Sequence, residues 1–231
     1  MRSTRSLIGA LGCSALIPFA VASLIVPNRS SHSSEVKVVP VQNTTETEFD
    51  VGSLLCADRS LKDPNFAQTV ILIVRYDEEG TLGLILNRRS EVPISKVLGD
   101  WKEAKGHKEP IFVGGPVEER SLIALARSSA KSDDSPTILR DVHLVSDLGL
   151  LQHMLKSAAG PDKFRLYAGY AGWAPEQLEE EVDAGAWHIF PGNANIVFDS
   201  DPDTLWMRLI KKTETQIANR SRREVRLPLT S

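Results

Sequence analysis

The sequence is poor in the residues that staple a small fold or hold a metal. Its 231 residues include two cysteines, Cys13 and Cys56, with no C-x-x-C pair and no Cys/His cluster. A zinc site of the usual spacing is thereby excluded. Cys13 lies in an N-terminal apolar run, so removal of that run leaves Cys56 alone and no intrachain disulfide. An excess of one charge is also lacking. The 27 Lys and Arg stand against 30 Asp and Glu, a formal net charge of −3, which gives no electrostatic basis for broad nucleic-acid binding. There is no HExxH, no GxSxG, no full GxGxxG and no P-loop. His143, His153 and His188 are scattered, and no nucleophile stands beside a partner base. No internal repeat occurs. What is present is ordinary globular composition, 42% hydrophobic and 25% charged, enough for one large domain or two small ones.

The ends differ from the middle. Arg2 and Arg5 precede an uncharged stretch, Leu7–Val26, of about bilayer-crossing length, and Ala20-Val21-Ala22 is an A-x-A pattern. Residues 1–26 therefore read as a targeting segment, either a cleaved signal peptide or a retained membrane anchor. The two arginines then place the remainder outside the cytoplasm. The alternative is a cytoplasmic protein with an apolar N-terminus. Residues 27–48, rich in Ser, Thr and Glu, read as a flexible linker in which Val36–Val41 is a weak edge-strand candidate. The folded domain is expected over 49–217, with a basic tail over 218–231.

Within the domain, the β-branched run Thr69–Tyr76 predicts a central buried strand. Asp77–Gly80 and Thr81–Leu86 complete a hairpin with it. Strands are also expected at Gly52–Ala57, Pro110–Val113, Ser121–Ala126, Ile138–Val145, Leu166–Ala171 and Ala186–Phe190, with a further piece at Ile196–Phe198. Asp63-Pro64-Asn65 carries turn chemistry. Val92–Trp101 suggests a short helix and Trp101–Pro110 a polar surface loop containing a solvated His107. Ser146 is a good cap for a helix over Asp147–Ala158. Pro175 opens a helix rich in glutamates. Asp203–Ile217 closes the domain as a helix with Leu205, Trp206, Leu209 and Ile210 inward.

Several of these segments together resemble a known family. GSLLCAD (52–58), DPNFAQTVILIV (63–74), GLILNR (83–88), GGPV (114–117), GYAGWAPEQLEEE (169–181), Trp187 and FDSDPDTLW (198–206) are similar, in order, to the motifs of the bacterial YqgE/AlgH family. The resemblance covers roughly residues 50–212. It implies a single compact α+β domain, a mixed or bifurcated sheet or small closed barrel surrounded by helices. The family's function is poorly defined, and some members carry the label of transcriptional regulator, although no helix-turn-helix reader is evident here. Three departures stand out. Arg89 follows Asn-Arg where the family has Pro, Glu176 precedes Gln where it has Gly, and SLIALARSS lacks the usual Leu-His pair.

Eight residues form the candidate ligand-binding site: Asn87, Arg88, Gly114, Gly115, Arg120, Trp173, Gln177 and Glu181. Asn87 and Arg88 end an apolar strand, where Arg88 suits a carboxylate or phosphate. The plain alternative is that Asn87 caps a turn and Arg88 is solvated or paired with a glutamate such as Glu181. Gly114-Gly115 either presents N–H groups to an anion, with Arg120 nearby, or makes a tight turn. Gln177 and Glu181, at i and i+4, share a helix face near Trp173. Asp199, Asp201 and Asp203 fit helix capping better than a cation loop. These residues point to a non-catalytic binding or regulatory module for an unknown protein or small anionic ligand. The alternative is a hydrolase-like enzyme with Glu181 as general base and Arg88 or Arg120 holding an anion. No cofactor is expected.

Overall fold

The computed structural model describes residues 49–128, 135–145, 148–157 and 160–224, the side chains of Leu148 and residues 217–224 excepted. The targeting segment, the linker with Val36–Val41, the Ser146 cap and the tail beyond Glu224 lie outside the described residues. All described residues belong to one compact unit, Thr45–Ser231.

The sheet grows from the apolar run identified in the sequence. Strands β1 (Ser53–Ala57), β2 (Val70–Asp77) and β3 (Gly80–Ile85) form an antiparallel meander. Ile71, Leu72 and Ile73 of β2 are wholly buried, so both faces of the strand are covered. Burial of each such side chain contributes about 1.5–3 kcal/mol. The chain continues through β4 (Arg89–Pro93), a single turn α1 (Ile94–Val97), β5 (Pro110–Val113) and the long β6 (Val117–Arg127). Next come β7 (Thr137–Leu139), β8 (Val142–Val145), α2 (Leu148–Lys156) and β9 (Phe164–Trp173). The domain finishes with α3 (Gln177–Asp183), β10 (Trp187–Pro191), α4 (Ala194–Val197) and α5 (Leu205–Glu224).

The main hydrogen-bonded path runs β10-β1-β2-β3-β9-β6-β8-β7, with β4 and β5 off it. Pairing is antiparallel except for β5 against β9, so the sheet is mixed and the domain α+β. Its curl brings Leu139 of β7 within van der Waals reach of Gly52 and Gly192, where a Cβ on either glycine meets the Leu139 side chain. The described strands make a half-barrel rather than a ladder closed on itself.

Strand β9 is where the sheet forks. Its outer end, Ala171–Trp173, pairs with β3, while Tyr167 and Ala168 pair with β5 on that same side. Its other edge carries β6. Gly114 sits in the crotch: its N–H donates to Ala168 O at 2.8 Å and its carbonyl accepts from Ile85 at 2.9 Å. A Cβ on Gly114 would lie 2.2 Å from Gly169 O, so only glycine lets the backbones approach this closely. Gly169 itself has φ +68 under the irregular stretch of β6 between Val117 and Leu122.

Two cores flank the sheet. The larger joins β1, β2, β3, β9 and β10 to Leu178 of α3 and to Leu205, Trp206, Leu209 and Ile210 of α5. The smaller lies between β5, β6, β9, α1 and α2. Arg165 is buried among them, its guanidinium 4.7 Å from the Phe112 ring centroid and bonded to the carbonyls of Val197 and Asp199 at the end of α4.

Several expectations change. The helix read over Val92–Trp101 is only α1, because Arg89–Pro93 is drawn into pairing with β5. Ile138–Val145 breaks at Arg140-Asp141 into a hairpin, β7 with β8. The Ile196–Phe198 piece lies at the end of a helical turn that Asn193 caps by accepting from Ile196 N–H at 3.1 Å. Helix α3 starts at Gln177 rather than at Pro175. His107 is buried rather than solvated, donating through Nε2 to Leu155 O at 2.9 Å. Helix α5 runs on to Glu224, past the expected end at Ile217.

Candidate functional site

Three aromatic rings and one carboxylate form a connected cluster. Trp173 ends β9 and Trp187 begins β10, with indole ring centroids 6.0 Å apart in an edge-to-face arrangement. Phe66, from the loop between β1 and β2, stacks on Trp173 at 6.0 Å and meets Trp187 edge-on at 6.0 Å. Gly83 of β3 makes room for this, since a Cβ there would press on Ile71 and lie 3.3 Å from the Trp173 ring. Helix α3 lays Glu181 across the pair. Its Oε2 accepts from Trp173 Nε1 at 3.0 Å and from Trp187 Nε1 at 2.8 Å, while Oε1 accepts from Gln177 Nε2 at 2.9 Å. Gln177 in turn accepts from Ala174 N–H at 3.1 Å and closes the corner. Glu176, just before α3, has φ +65. This left-handed conformation explains the family's preference for glycine there.

Asn87 and Arg88 act on the same loop from the other side. Asn87 Oδ1 accepts from Val70 N–H at 2.8 Å and its Nδ2 donates to Gln68 O at 2.9 Å. Arg88 donates to Pro64 O at 3.1 Å and Ala67 O at 3.4 Å, and burial lowers its pKa from the usual arginine value. The loop's own turn forms as the sequence suggests, with Asp63 Oδ1 accepting from Asn65 N–H at 2.7 Å. Thus Asn87 and Arg88 hold the 63–68 loop through its backbone and Trp173 meets it at Phe66, while Glu181 bonds to Trp173 and to Gln177 rather than to the loop. Arg88 pairs with loop carbonyls rather than with Glu181. The remaining three candidates lie elsewhere. Gly114 and Gly115 pack against the β9 backbone at the fork, and the Gly114 N–H is taken by Ala168. Arg120 is exposed on the irregular part of β6.

Beside the bracket, the outer wall of the same loop borders a groove of about 420 Å³ lined by Asp58, Arg59, Leu61, Lys62, Ala67, Gln68 and Trp206. Asp58 follows β1. Its Oδ1 accepts from Ser60 N–H at 2.8 Å and Ser60 Oγ at 2.7 Å, and its Oδ2 accepts from His188 Nε2 at 2.9 Å. These bonds, those from Ser60 foremost, bring its pKa down to about 2. Trp206 is buried and donates to Ala57 O at 2.8 Å. The Arg59 guanidinium lies 5.4 Å from the Trp206 ring centroid and pairs with Glu214 of α5, Nε to Oε1, at 2.5 Å. Lys62 donates to Arg59 O at 3.2 Å. Gln68 has φ +59, a strained state for a non-glycine residue.

The groove escaped sequence reasoning because its walls come from residues far apart in the chain. The Asp-x-Ser turn after β1 was a local signal, but nothing local pairs Arg59 with Glu214 or Asp58 with His188. The aspartates near α5 behave differently from one another. Asp203 pairs with Arg89, and Asp199 with Arg208 at 2.7 Å. Asp201 accepts from Thr204 Oγ1 at 2.5 Å, with no bond to a helix N–H. Cys56 is buried and free, its thiol pushed up to about 12 by burial, so it is inert.

The sequence profile of the AlgH-like family, DUF179, matches residues 54–218. Among curated proteins, a "UPF0301 protein" of Streptomyces avermitilis is 37% identical over 180 residues, covering 75% of this chain and 92% of the relative. Another, of Chlamydia pneumoniae, is 33% identical over 163 residues, covering 71% and 86%. Two solved structures are similar. The crystal structure of a Corynebacterium diphtheriae protein has 27% identity and a TM-score of 0.61. The solution structure of AlgH from Pseudomonas aeruginosa has 28% identity and a TM-score of 0.55. Each likeness covers 71% of this chain and 87% of the other. The chain belongs to the AlgH-like family.

Proposed function

We propose that the domain is a non-catalytic binding module whose ligand sits in the groove between the 58–68 loop and α5. One observation carries this reading: the motif residues Asn87 and Arg88 hold the groove wall by its backbone, at Gln68 and Ala67. A groove of about 420 Å³ with a buried aromatic floor and cationic rim is of ligand-pocket size. The hydrolase alternative is less favoured. Both Glu181 oxygens already accept N–H bonds, whereas a general base needs a lone pair aimed at the substrate's proton. Protein NMR of the full chain, titrated with a small library of anionic, neutral and cationic compounds, tests the proposal. Shifts should gather at residues 58–68 and Trp206. Shifts gathered elsewhere, or ester hydrolysis that disappears in Glu181→Gln, overturn it.

The proposed setting is outside the cytoplasm, resting on Arg2, Arg5 and the apolar Leu7–Val26. Among the described residues no helix is long and apolar enough to cross a membrane, and the proposal assigns anchoring to residues 7–26. A C-terminal alkaline phosphatase fusion should be active. An inactive fusion places the domain in the cytoplasm.

A further inference from the structure

We infer that the groove recognises a carboxylate through Arg59 on its rim, and that Glu214 of α5 is the partner Arg59 holds in the absence of that ligand. The inference rests on the binding reading above and names the ligand chemistry of the same site. Arg59 presents its guanidinium fork to Glu214, Nε to Oε1 at 2.5 Å and Nη2 to Oε2 at 3.5 Å. Such a two-pronged approach is the geometry by which arginine reads planar carboxylates. The guanidinium lies 5.4 Å from the Trp206 ring centroid with its fork turned to Glu214 of α5. Lys62 adds a second cation on the same rim, tethered to Arg59 O. The one carboxylate in the groove lining, Asp58, is turned inward, with each oxygen already bonded to Ser60 or His188.

Glu214 is easily displaced. Arg59 and Glu214 side chains are 47% and 50% exposed, and an exposed pair is held weakly because water screens it. An incoming carboxylate therefore exchanges one weak partner for another while its remaining atoms enter the groove over Leu61 and Ala67. Two sources share this chemistry, a free organic acid and an Asp or Glu side chain of a peptide. The 420 Å³ volume accommodates either.

The test uses the full chain, with succinate as the free acid, a short blocked peptide containing one glutamate as the second arm, and inorganic phosphate as a charge control. Binding is read by calorimetry and by the Trp206 indole NMR signal for wild type, Glu214→Gln and Arg59→Gln. Both substitutions are at exposed positions, and unchanged melting temperatures confirm folding. Removing the competitor should tighten binding of one carboxylate probe by about threefold. Arg59→Gln should weaken it at least tenfold. Whichever arm binds tells free acid from peptide. Equal affinities across the three proteins overturn the inference, as does phosphate binding as tightly as both carboxylates. If neither carboxylate binds wild type or Glu214→Gln while a neutral or cationic compound shifts residues 58–68, the inference fails and the binding module stands. If no compound shifts those residues, both fail.

Discussion

Replacing Glu181 is the most direct test of the aromatic bracket. In Glu181→Ala the indole N–H groups of Trp173 and Trp187, residues only 5% and 3% exposed, lose their acceptor. A buried donor left without a partner costs about 1–3 kcal/mol. Glu181 itself is half-buried, so water reaches part of the vacated space and the lower half of the range applies. The expected loss is about 2–4 kcal/mol for the two donors together. Glu181→Gln keeps one amide oxygen for the indoles but loses the charge and sets an NH₂ group against Gln177 Nε2, so about 1–2 kcal/mol is expected. Trp173→Ala should be worse, about 3–5 kcal/mol, because it also empties the space between Phe66 and Trp187. A double-mutant cycle separates the hydrogen bond from general disturbance: Trp173→Phe combined with Glu181→Ala should cost about 1 kcal/mol less than the sum of the two. Urea unfolding followed by far-UV circular dichroism measures all of these. A Glu181→Ala loss well under 1 kcal/mol, or strict additivity in the cycle, refutes the bracket.

Three further outcomes are expected. Glu176→Gly relieves a left-handed glutamate at φ +65 but loosens the unfolded chain, for a net gain of about 0.5–1 kcal/mol in thermal or urea melts; a loss contradicts the strain. Gly114→Ala drives a Cβ into Gly169 O at the fork and should cost about 2–3 kcal/mol, whereas a neutral result in the same melts means the crotch has slack. Asp58 has its folded pKa depressed from 3.8 to about 2, so the stability it contributes is present above pH 3.8 and lost as pH falls through 2. Wild type should therefore exceed Asp58→Asn in stability at neutral pH, with the gap narrowing only below about pH 4; a gap unchanged down to pH 2 rules out the bonded carboxylate.

The strand content was legible wherever local chemistry and burial agree. The β-branched run at 69–76, observed as β2 over 70–77, and the inward stripe Leu205, Trp206, Leu209 and Ile210 were readable because apolar composition and helical spacing report the core directly. The breaks were not. Ile138–Val145 reads as one run, yet it turns at the polar pair Arg140-Asp141, where Arg127 meets Asp141 at 3.0 Å beside the hairpin. His107 sits among charges in sequence, and its burial comes from α2 arriving some fifty residues later. For the site, the motifs grouped eight positions, of which Gly114, Gly115 and Arg120 lie apart from the rest, and they did not show that Asn87 and Arg88 grip a loop. Asn87 and Arg88 bond to backbone carbonyls, which leave no mark on residue identity, and the groove's Arg59–Glu214 pair spans nearly the whole domain.

The position of β9 at the fork also sets an order on how the chain can assemble. Emerging from the ribosome, β2 and β3 close on each other at once as a local hairpin, and β4 can meet β5. The other edge of β3, the parallel partner of β5 and the main partner of β6 are all the same strand, beginning at Phe164. Until it is made, each of those edges stays open, and β1 waits longer still for β10. Long-range pairing of this kind is slow and leaves apolar strands unpaired meanwhile. A single late segment thus joins both cores in one step, and a chain truncated before Phe164 retains only separate groups of strands, β1-β2-β3, β4-β5 and β6-β8-β7.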